Sequence, residues 1–405
     1  MIRLKAYCYR VYPTVEQEVL FRQTVGSCRF VYNLCLEQRK LDYHRSHPRR
    51  LTAYDQIAEL PALKVEVPWL REVPNHPLQQ AVIDLDRAFK NFFEGRANYP
   101  KFRRRGDRDS FRYPDPKQFK PQADRIFLPK AGWVAWVRHR PMEGRMKTAT
   151  VSREADCWYV SIQCETEMPE PMPNLGPAVG VDMGVVKPMV LSTGRVIQLP
   201  RTTDRERHKL ATLQRKVARK TKGSRNQAKA RMAVARFQAR LARRRKDAAH
   251  KATTAIAKNH GVIVVEDLKV RNVTASAAGT VEQPGSNVRA KSGLNRSILD
   301  VAPHQIRLML EYKAAWYGGE LRTTPAPNTS RECSVCGCIH ADNRRSQAEF
   351  LCVACGHHEN ADFNASKVIK ARGLRVSACG SSRAAGRKQE RCVVRRGSSA
   401  LQGRE

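Results

Sequence analysis

Ala178-Val179-Gly180-Val181-Asp182-Met183-Gly184 is a run of four apolar or small residues that leads into a carboxylate and then a glycine. It reads as a short buried strand with an acid at its end. Pro188–Ser192 and Val196–Leu199 follow and flank a Thr193-Gly194 turn, the pattern of a β-hairpin. Further on, Gly261-Val262-Ile263-Val264-Val265 repeats the buried-strand pattern and ends in Glu266-Asp267. A strand alternates its faces, so only one of Glu266 and Asp267 can point into a shared site. A third acid, Asp362, begins a short helix over about Asp362–Arg372. A lone acid at a strand end is usually an exposed cap. Two at the ends of hydrophobic strands in a strongly basic chain form a set with a different meaning. Two magnesium ions ~3.5–4 Å apart need such a carboxylate cluster, and they support in-line attack on a phosphodiester. Asp182, Glu266 and Asp362 are therefore the candidate catalytic and magnesium-binding residues.

Between the two strands, residues 203–259 read as two long helices split by Gly223-Ser224. From Arg201 to Lys246 there are 18 Lys and Arg against 2 acidic residues. Like charges at i,i+4 go unrelieved there without a polyanion, which makes Arg215, Lys216, Arg219 and Lys220 candidate nucleic-acid contacts. Residues 272–296 are polar, Gly/Ser/Ala-rich and aperiodic, and are expected to form a mobile loop. A helix is expected over Val301–Tyr317. Then Cys333-x2-Cys336 and Cys352-x2-Cys355 stand 15 residues apart, with Gly337 and Gly356 directly after each pair. This is the spacing of a four-cysteine zinc ribbon, a closed structural site for one zinc ion. Cys338, His340, His357 and His358 lie near enough to compete as ligands. Cys8, Cys28, Cys35, Cys157, Cys164, Cys379 and Cys392 read as small apolar or tail residues.

The N-terminal half has another texture. Residues 4–12 alternate in the manner of a strand, Pro13 stops it, and Thr14-x-x-Gln17 is a capping box. Helical periodicity then runs to about His44, with a break expected at Gly26. A second helix over Leu78–Phe93 sets Val82, Leu85, Ala88, Phe89, Phe92 and Phe93 on one face. After Asn98, strand-like runs at Arg125–Leu128, Gly132–Val137, Thr148–Ser152 and Cys157–Cys164 suggest a small barrel. Residues 1–13 and 96–170 would form this barrel, with 14–95 as a helical insert. Pro171, Pro173 and Pro177 mark 171–177 as a linker. Residues 373–405, rich in Gly, Ser and Arg, read as a disordered basic tail. Between them, Tyr99, Phe102, Phe111 and Tyr113 are interspersed with Lys101, Arg103, Arg104, Arg105, Arg108 and Arg112. Aromatics can stack on bases while guanidiniums hold phosphates, although the same rings could be barrel core.

Across the 405 residues, 74 Lys and Arg stand against 38 Asp and Glu, a formal net charge of +36. One charge per ~1.7 Å of duplex makes that excess equal to ~60 Å of DNA. A compact chain of this length is itself ~55 Å across. The excess suits a protein that grips an extended nucleic acid. No stretch reaches the ~18 apolar residues of a membrane span. The N-terminus leads into no apolar signal region, so a cytoplasmic protein without a membrane partner is expected.

Several stretches carry a resemblance in order along the chain. They are Val11-Tyr12-Pro13-Thr14, Cys28-Arg29-Phe30-Val31-Tyr32-Asn33, Ala88-Phe89-Lys90-Asn91-Phe92-Phe93, Tyr99-Pro100-Lys101-Phe102 and Leu128-Pro129-Lys130-Ala131-Gly132-Trp133-Val134. After them come Gly180–Gly184, Val264–Leu268 and Asn360–Ala365, with the cysteine segment between the last two. Over about residues 1–372 this set resembles the TnpB family. This is the OrfB family of insertion sequences, from which type V CRISPR effectors descend. The resemblance implies an α/β fold: a RuvC/RNase H-like nuclease domain (178–330 and 361–372) with an inserted zinc ribbon (331–360). A wedge-like barrel carrying a helical recognition insert would precede it. It places Asp182, Glu266 and Asp362 in the catalytic positions and the four cysteines in the zinc positions. Tyr54 and Gln79 fall near where the family reads a motif flanking its target. Asn360-Ala361 stand where many relatives have Asp-Arg. The implied activity is magnesium-dependent, RNA-guided cleavage of double-stranded DNA, with a noncoding guide RNA as partner and a monomer expected. A transposase acting on DNA ends and a nuclease-dead, RNA-guided binding protein are the rival readings. All three acids are present, which favours cleavage.

Overall fold

The computed structural model describes residues 2–46, 50–107, 109–280 and 282–378. The chain divides into two compact units, residues 1–169 with 223–239, and residues 170–222 with 240–405. Among the described residues no helix is long and apolar enough to cross a membrane.

The first unit opens with β1 (Ile2–Tyr12). Its alternation holds, and the face that turns inward is Tyr7, Tyr9 and Val11, while Leu4 and Cys8 are exposed. The buried tyrosines keep polar partners: the Tyr9 hydroxyl donates to the Arg140 carbonyl at 3.0 Å. Helix α1 (Val15–Tyr43) starts at the expected capping box on Thr14. It runs straight through Gly26, where a Cβ would meet nothing nearer than the Arg29 guanidinium at 3.9 Å. The expected break is absent because Val25, Cys28 and Val31 on either side are buried, and packing outweighs the low helix propensity of one glycine. The short helices α2 (Ala53–Ala58) and α3 (Leu60–Glu66) lead to α4 (Asn75–Phe93).

Six further strands complete a seven-stranded sheet: β2 (Ser110–Tyr113), β3 (Lys120–Pro121), β4 (Arg125–Leu128), β5 (Gly132–Val137), β6 (Arg145–Glu154) and β7 (Cys157–Glu167). The order is β2-β6-β7-β1-β5-β4-β3, so the first strand of the chain pairs centrally, antiparallel to β5 and β7. Phe111 and Tyr113 on β2 are buried in the core, with Phe111 against Phe21 at 5.6 Å between ring centroids. These two rings are structural.

The second unit is built on β8 (Val179–Asp182), β9 (Met189–Leu191) and β10 (Val196–Ile197), the last two turning at Gly194 with φ +92°. Helix α5 (Asp204–Ala218) follows, then α6 (Arg225–Asn259), of which residues 240–259 belong to this unit, and β11 (Val262–Glu266). The segment expected as a loop holds α7 (Val270–Val273) and the start of α8 (Val288–Val301). Lys291 Nζ donates to the Val273 carbonyl at 2.7 Å and Asn295 Nδ2 to that of Thr274 at 3.0 Å, which ties α8 back onto the preceding turn. Next come α9 (Pro303–Trp316), β12 (Glu320–Thr324), the hairpin β13 (Glu349–Leu351) and β14 (His358–Asn360), and α10 (Ala361–Ala378).

The five-stranded sheet has the order β10-β9-β8-β11-β12. β8, β11 and β12 are parallel, β9 is antiparallel to β8, and β10 is antiparallel to β9. α10 lies close on this sheet: a Cβ on Gly180 would stand 2.0 Å from the Ser366 carbonyl oxygen, and one on Gly373 2.2 Å from Val264. Residues 373–378, expected in the tail, are its last turns; Cys379, Cys392 and the rest of the tail lie outside the described residues. The proline-marked segment 171–177 is pinned. Asn174 Nδ2 donates to the carbonyls of Ala257, Lys258 and His260, and Gly176 accepts from the Gly261 amide at 3.1 Å.

Candidate functional site

Parallel pairing sets the ends of β8 and β11 side by side, with Val181 opposite Val265. The next residues are Asp182 and Glu266, so two carboxylates emerge at the same edge of the sheet. Crevices at the carboxyl ends of parallel strands are where open α/β sheets bind ligands. Asp362 arrives in the first turn of α10, the helix that Gly180 draws down onto β8. Asp182 is pushed up to about 7 by burial first, and then by the negative charges of Glu266 and Asp362. Arg344 and the Met183 amide oppose the rise. Glu266 is raised by burial, against its bond from the Thr329 hydroxyl. The rival Asp267 lies beyond the strand, half-exposed and paired with Arg307.

Glu266 and Asp362 also have side-chain partners of their own. Thr329 Oγ1 donates to Glu266 Oε1. Asp362 stands between Lys187, 3.4 Å from Oδ2, and Arg344, 3.6 Å from Oδ1. The Lys187 ammonium also reaches Asn360 Oδ1 at 3.1 Å. Asp182 senses the charges of Glu266 and Asp362. Among the described residues, however, only the four cysteines bring their ligand atoms all within 4.8 Å. The oxygens of Asp182, Glu266 and Asp362 do not form such a group. Lys187, Thr329 and Arg344 carried no signal in the sequence. They sit on loops and on the cysteine segment, and only the folded chain brings them to this edge.

The cysteine cluster is tight. Cys333 Sγ is 3.7 Å from Cys355 Sγ, and Cys336 Sγ is 3.5 Å from Cys352 Sγ. A zinc–sulfur tetrahedron with ~2.3 Å bonds has edges of ~3.8 Å, so the four sulfurs fit zinc. The two halves repeat one turn. The Gly337 amide donates to the Cys333 carbonyl at 2.9 Å and the Gly356 amide to that of Cys352 at 3.0 Å, with φ +74° and +69° at the two glycines. The nearby Cys338, His340, His357 and His358 are not part of this group. Asn364 joins it to α10: it accepts from the Ser334 amide at 2.9 Å and donates to the Glu332 carbonyl at 2.7 Å.

The nucleic-acid candidates divide by environment. In the first unit, Tyr54 on α2 is 84% exposed and Gln79 on α4 is half-buried. Lys101, Arg104 and Arg105 are exposed. Arg103 lies 3.8 Å over the Tyr32 ring and 3.7 Å from Asp84. Arg112 bonds Gln80 and Asp84 at 3.1 and 2.8 Å. These two arginines hold α4 to its neighbours. Arg108 lies outside the described residues. In the second unit, Arg215, Lys216, Arg219 and Lys220 at the end of α5 are all exposed. Glu206, one of the two acids of that basic run, clasps Arg244 of α6 at 2.7 and 2.8 Å.

Comparison with known proteins adds to this geometry. The OrfB family model described as "Probable transposase" matches residues 161–277. A "Cas12f1-like, TNB domain" matches 304–369, and a "Helix-turn-helix domain" matches 1–47. In the structure that last stretch is β1 and the single helix α1. "Putative RNA-guided DNA endonuclease InsQ" of Escherichia coli is 43% identical over 96% of this chain and 98% of its own. A "Putative RNA-guided DNA endonuclease" of Streptomyces pristinaespiralis is 38% identical over 93% and 91%. Among solved structures, a Cas12f1–sgRNA–target DNA complex matches in fold with a TM-score of 0.51 and 13% identity, over 91% of this chain and 99% of that one.

Proposed function

The chain belongs to the TnpB/OrfB family, and from that premise we propose that it is an RNA-guided DNA endonuclease of a transposable element. In this reading the second unit is a RuvC/RNase H-like nuclease domain. Its sheet, numbered within the unit, runs 3-2-1-4-5, with strand 2 alone antiparallel to the others. The cysteine segment is its zinc ribbon, and the first unit is a wedge with a recognition insert. The partners are a noncoding guide RNA and a double-stranded DNA target, gripped through their backbones by a chain of charge +36.

The observation that carries the reading is the convergence of half-buried Asp182 with Glu266 at the ends of adjacent parallel strands, beside Asp362 on α10; burial, together with these two neighbouring charges, raises Asp182 to about 7. Two carboxylates at the ends of adjacent strands and a third at the start of α10 suit a hard divalent cation. Asp182, Glu266 and Asp362 would hold magnesium, which supplies the Lewis acidity for in-line displacement at phosphorus. Thr329 fixes the orientation of Glu266. Lys187 and Arg344 order Asp362 from both sides and bring positive charge to where a phosphate would lie. The four-cysteine zinc site is structural, and through Asn364 it sets the position of the helix that carries Asp362. The test is guided cleavage by the single variants D182A, E266A and D362A. Each is expected to keep its RNA and lose cleavage; a variant that loses RNA instead would mark that acid as structural.

A further inference from the structure

A cavity of about 1020 Å³ opens in the first unit, between the end of α1 and the end of α4. We propose that it is a stacking site for unpaired nucleobases of a single-stranded nucleic acid.

The apolar stripe of α4 begins as ordinary core, with Leu78, Ala81, Val82 and Leu85 buried. Its last turns do not follow. Phe89 and Phe92 are half-buried and Phe93 is 78% exposed. Tyr99 closes over them edge-on, 5.6 Å from Phe89 and 5.3 Å from Phe92 between centroids. Tyr43, at the end of α1, lines the cavity and is 77% exposed. Aromatic faces left open to water beside a cavity are surface waiting for a flat apolar partner.

The charge around these rings names the partner. Lys40 Nζ lies 4.4 Å from the Phe102 centroid and 5.9 Å from that of Tyr99, and Arg39 lies 5.2 Å over Phe89. Lys90 and Arg50 also line the cavity. Its two carboxylates are engaged: Asp86 pairs with Arg39 at 3.1 Å, and Asp42 accepts from the Arg50 amide at 3.1 Å. Aromatic rings with cations at the rim match a base face joined to phosphates. A paired duplex hides those faces, so the occupant is unpaired. RNA and DNA share this chemistry. Unlike the sequence pattern, which grouped Tyr99 and Phe102 with Phe111 and Tyr113, the structure joins Tyr99 to the phenylalanines of α4 and sets Phe102 beside Lys40.

This site belongs to the first unit and the carboxylates to the second, and its test reads binding rather than cleavage. Full-length protein is irradiated with single-stranded RNA and DNA oligonucleotides carrying 5-iodouracil, the cross-linked peptide is mapped, and affinity is measured for wild type, F93A and F93W. Phe93 is on the surface, so F93A should keep the wild-type melting temperature. Cross-links are expected in the peptide from Phe89 to Tyr99, with about tenfold weaker binding in F93A, as for one lost stacked base. F93W, which keeps a stacking face, should bind as wild type. Whichever nucleic acid binds more tightly identifies the natural occupant. Unchanged affinity in F93A with cross-links elsewhere would overturn the proposal. So would self-association of the protein that F93A abolishes. Loss of cleavage activity in the wild type with these cross-links intact would count against the nuclease reading alone.

Discussion

Asp182 is raised from its ordinary value to about 7, so the folded chain binds that proton more tightly than the unfolded chain does. Between about pH 4 and pH 7 the native state carries the extra proton, and by linkage this group's contribution to stability falls as pH rises through that window. Above it, the half-buried carboxylate is ionised beside Glu266 and Asp362. D182N is isosteric and uncharged. In chelator, it should therefore melt higher than wild type at pH 8, with the difference shrinking toward pH 4. Thermal denaturation at the two pH values checks this; equal melting at pH 8 would mean that the three acids are not electrostatically coupled. The zinc residues make the opposite kind of prediction. C333S removes one of four thiolates from a closed site, so the purified protein should lose its single zinc ion and melt at lower temperature. Metal analysis reads the first effect, and unchanged zinc content would remove the ribbon assignment. At this scale the sequence was informative where chemistry imposes spacing. Two Cys-x2-Cys pairs and acids at strand ends are local patterns. Thr329, Lys187 and Arg344 were hidden because a hydroxyl or cation on a loop has no period.

Elements were legible where hydrophobic pattern and turn chemistry agreed. β8, the β9–β10 hairpin around Gly194 and the paired helices α5 and α6 all lie within a few residues of their expected bounds. The misreadings came from punctuation residues that tertiary contacts overruled. Gly26 suggested a break, yet α1 is continuous. The proline-rich stretch before β8 suggested a free linker, yet Asn174 fastens it to the end of α6. Polar residues 288–296 lacked periodicity, yet they open α8. Gly26 gives a direct test. Its helical site has room for a Cβ, so G26A should stabilise the protein by about 0.5–1 kcal/mol through the loss of glycine's unfolded-state entropy. Chemical denaturation measures it; a loss of stability would show that Gly26 is needed for a bend or a close approach that the straight helix does not contain.

For the whole molecule, charge and family point the same way. A net +36 exceeds what the ion pairs within the chain use, and exposed Lys101, Arg104 and Arg105 in one unit and Arg215 to Lys220 in the other remain available for phosphates. The order of the elements along the chain was readable from the ordered motifs. The central pairing of β1 was less so, because it joins residues more than 150 positions apart, as Lys5 with Cys164. The decisive measurement is to express the gene with its native flanks, sequence the RNA that purifies with the protein, and assay magnesium-dependent cleavage of a plasmid matching that RNA's terminal segment. The account predicts one discrete RNA, cutting of the matched plasmid alone, and no cutting by D182A despite an equal load of RNA. Random RNA, cutting that ignores the match, or full activity in D182A would contradict it.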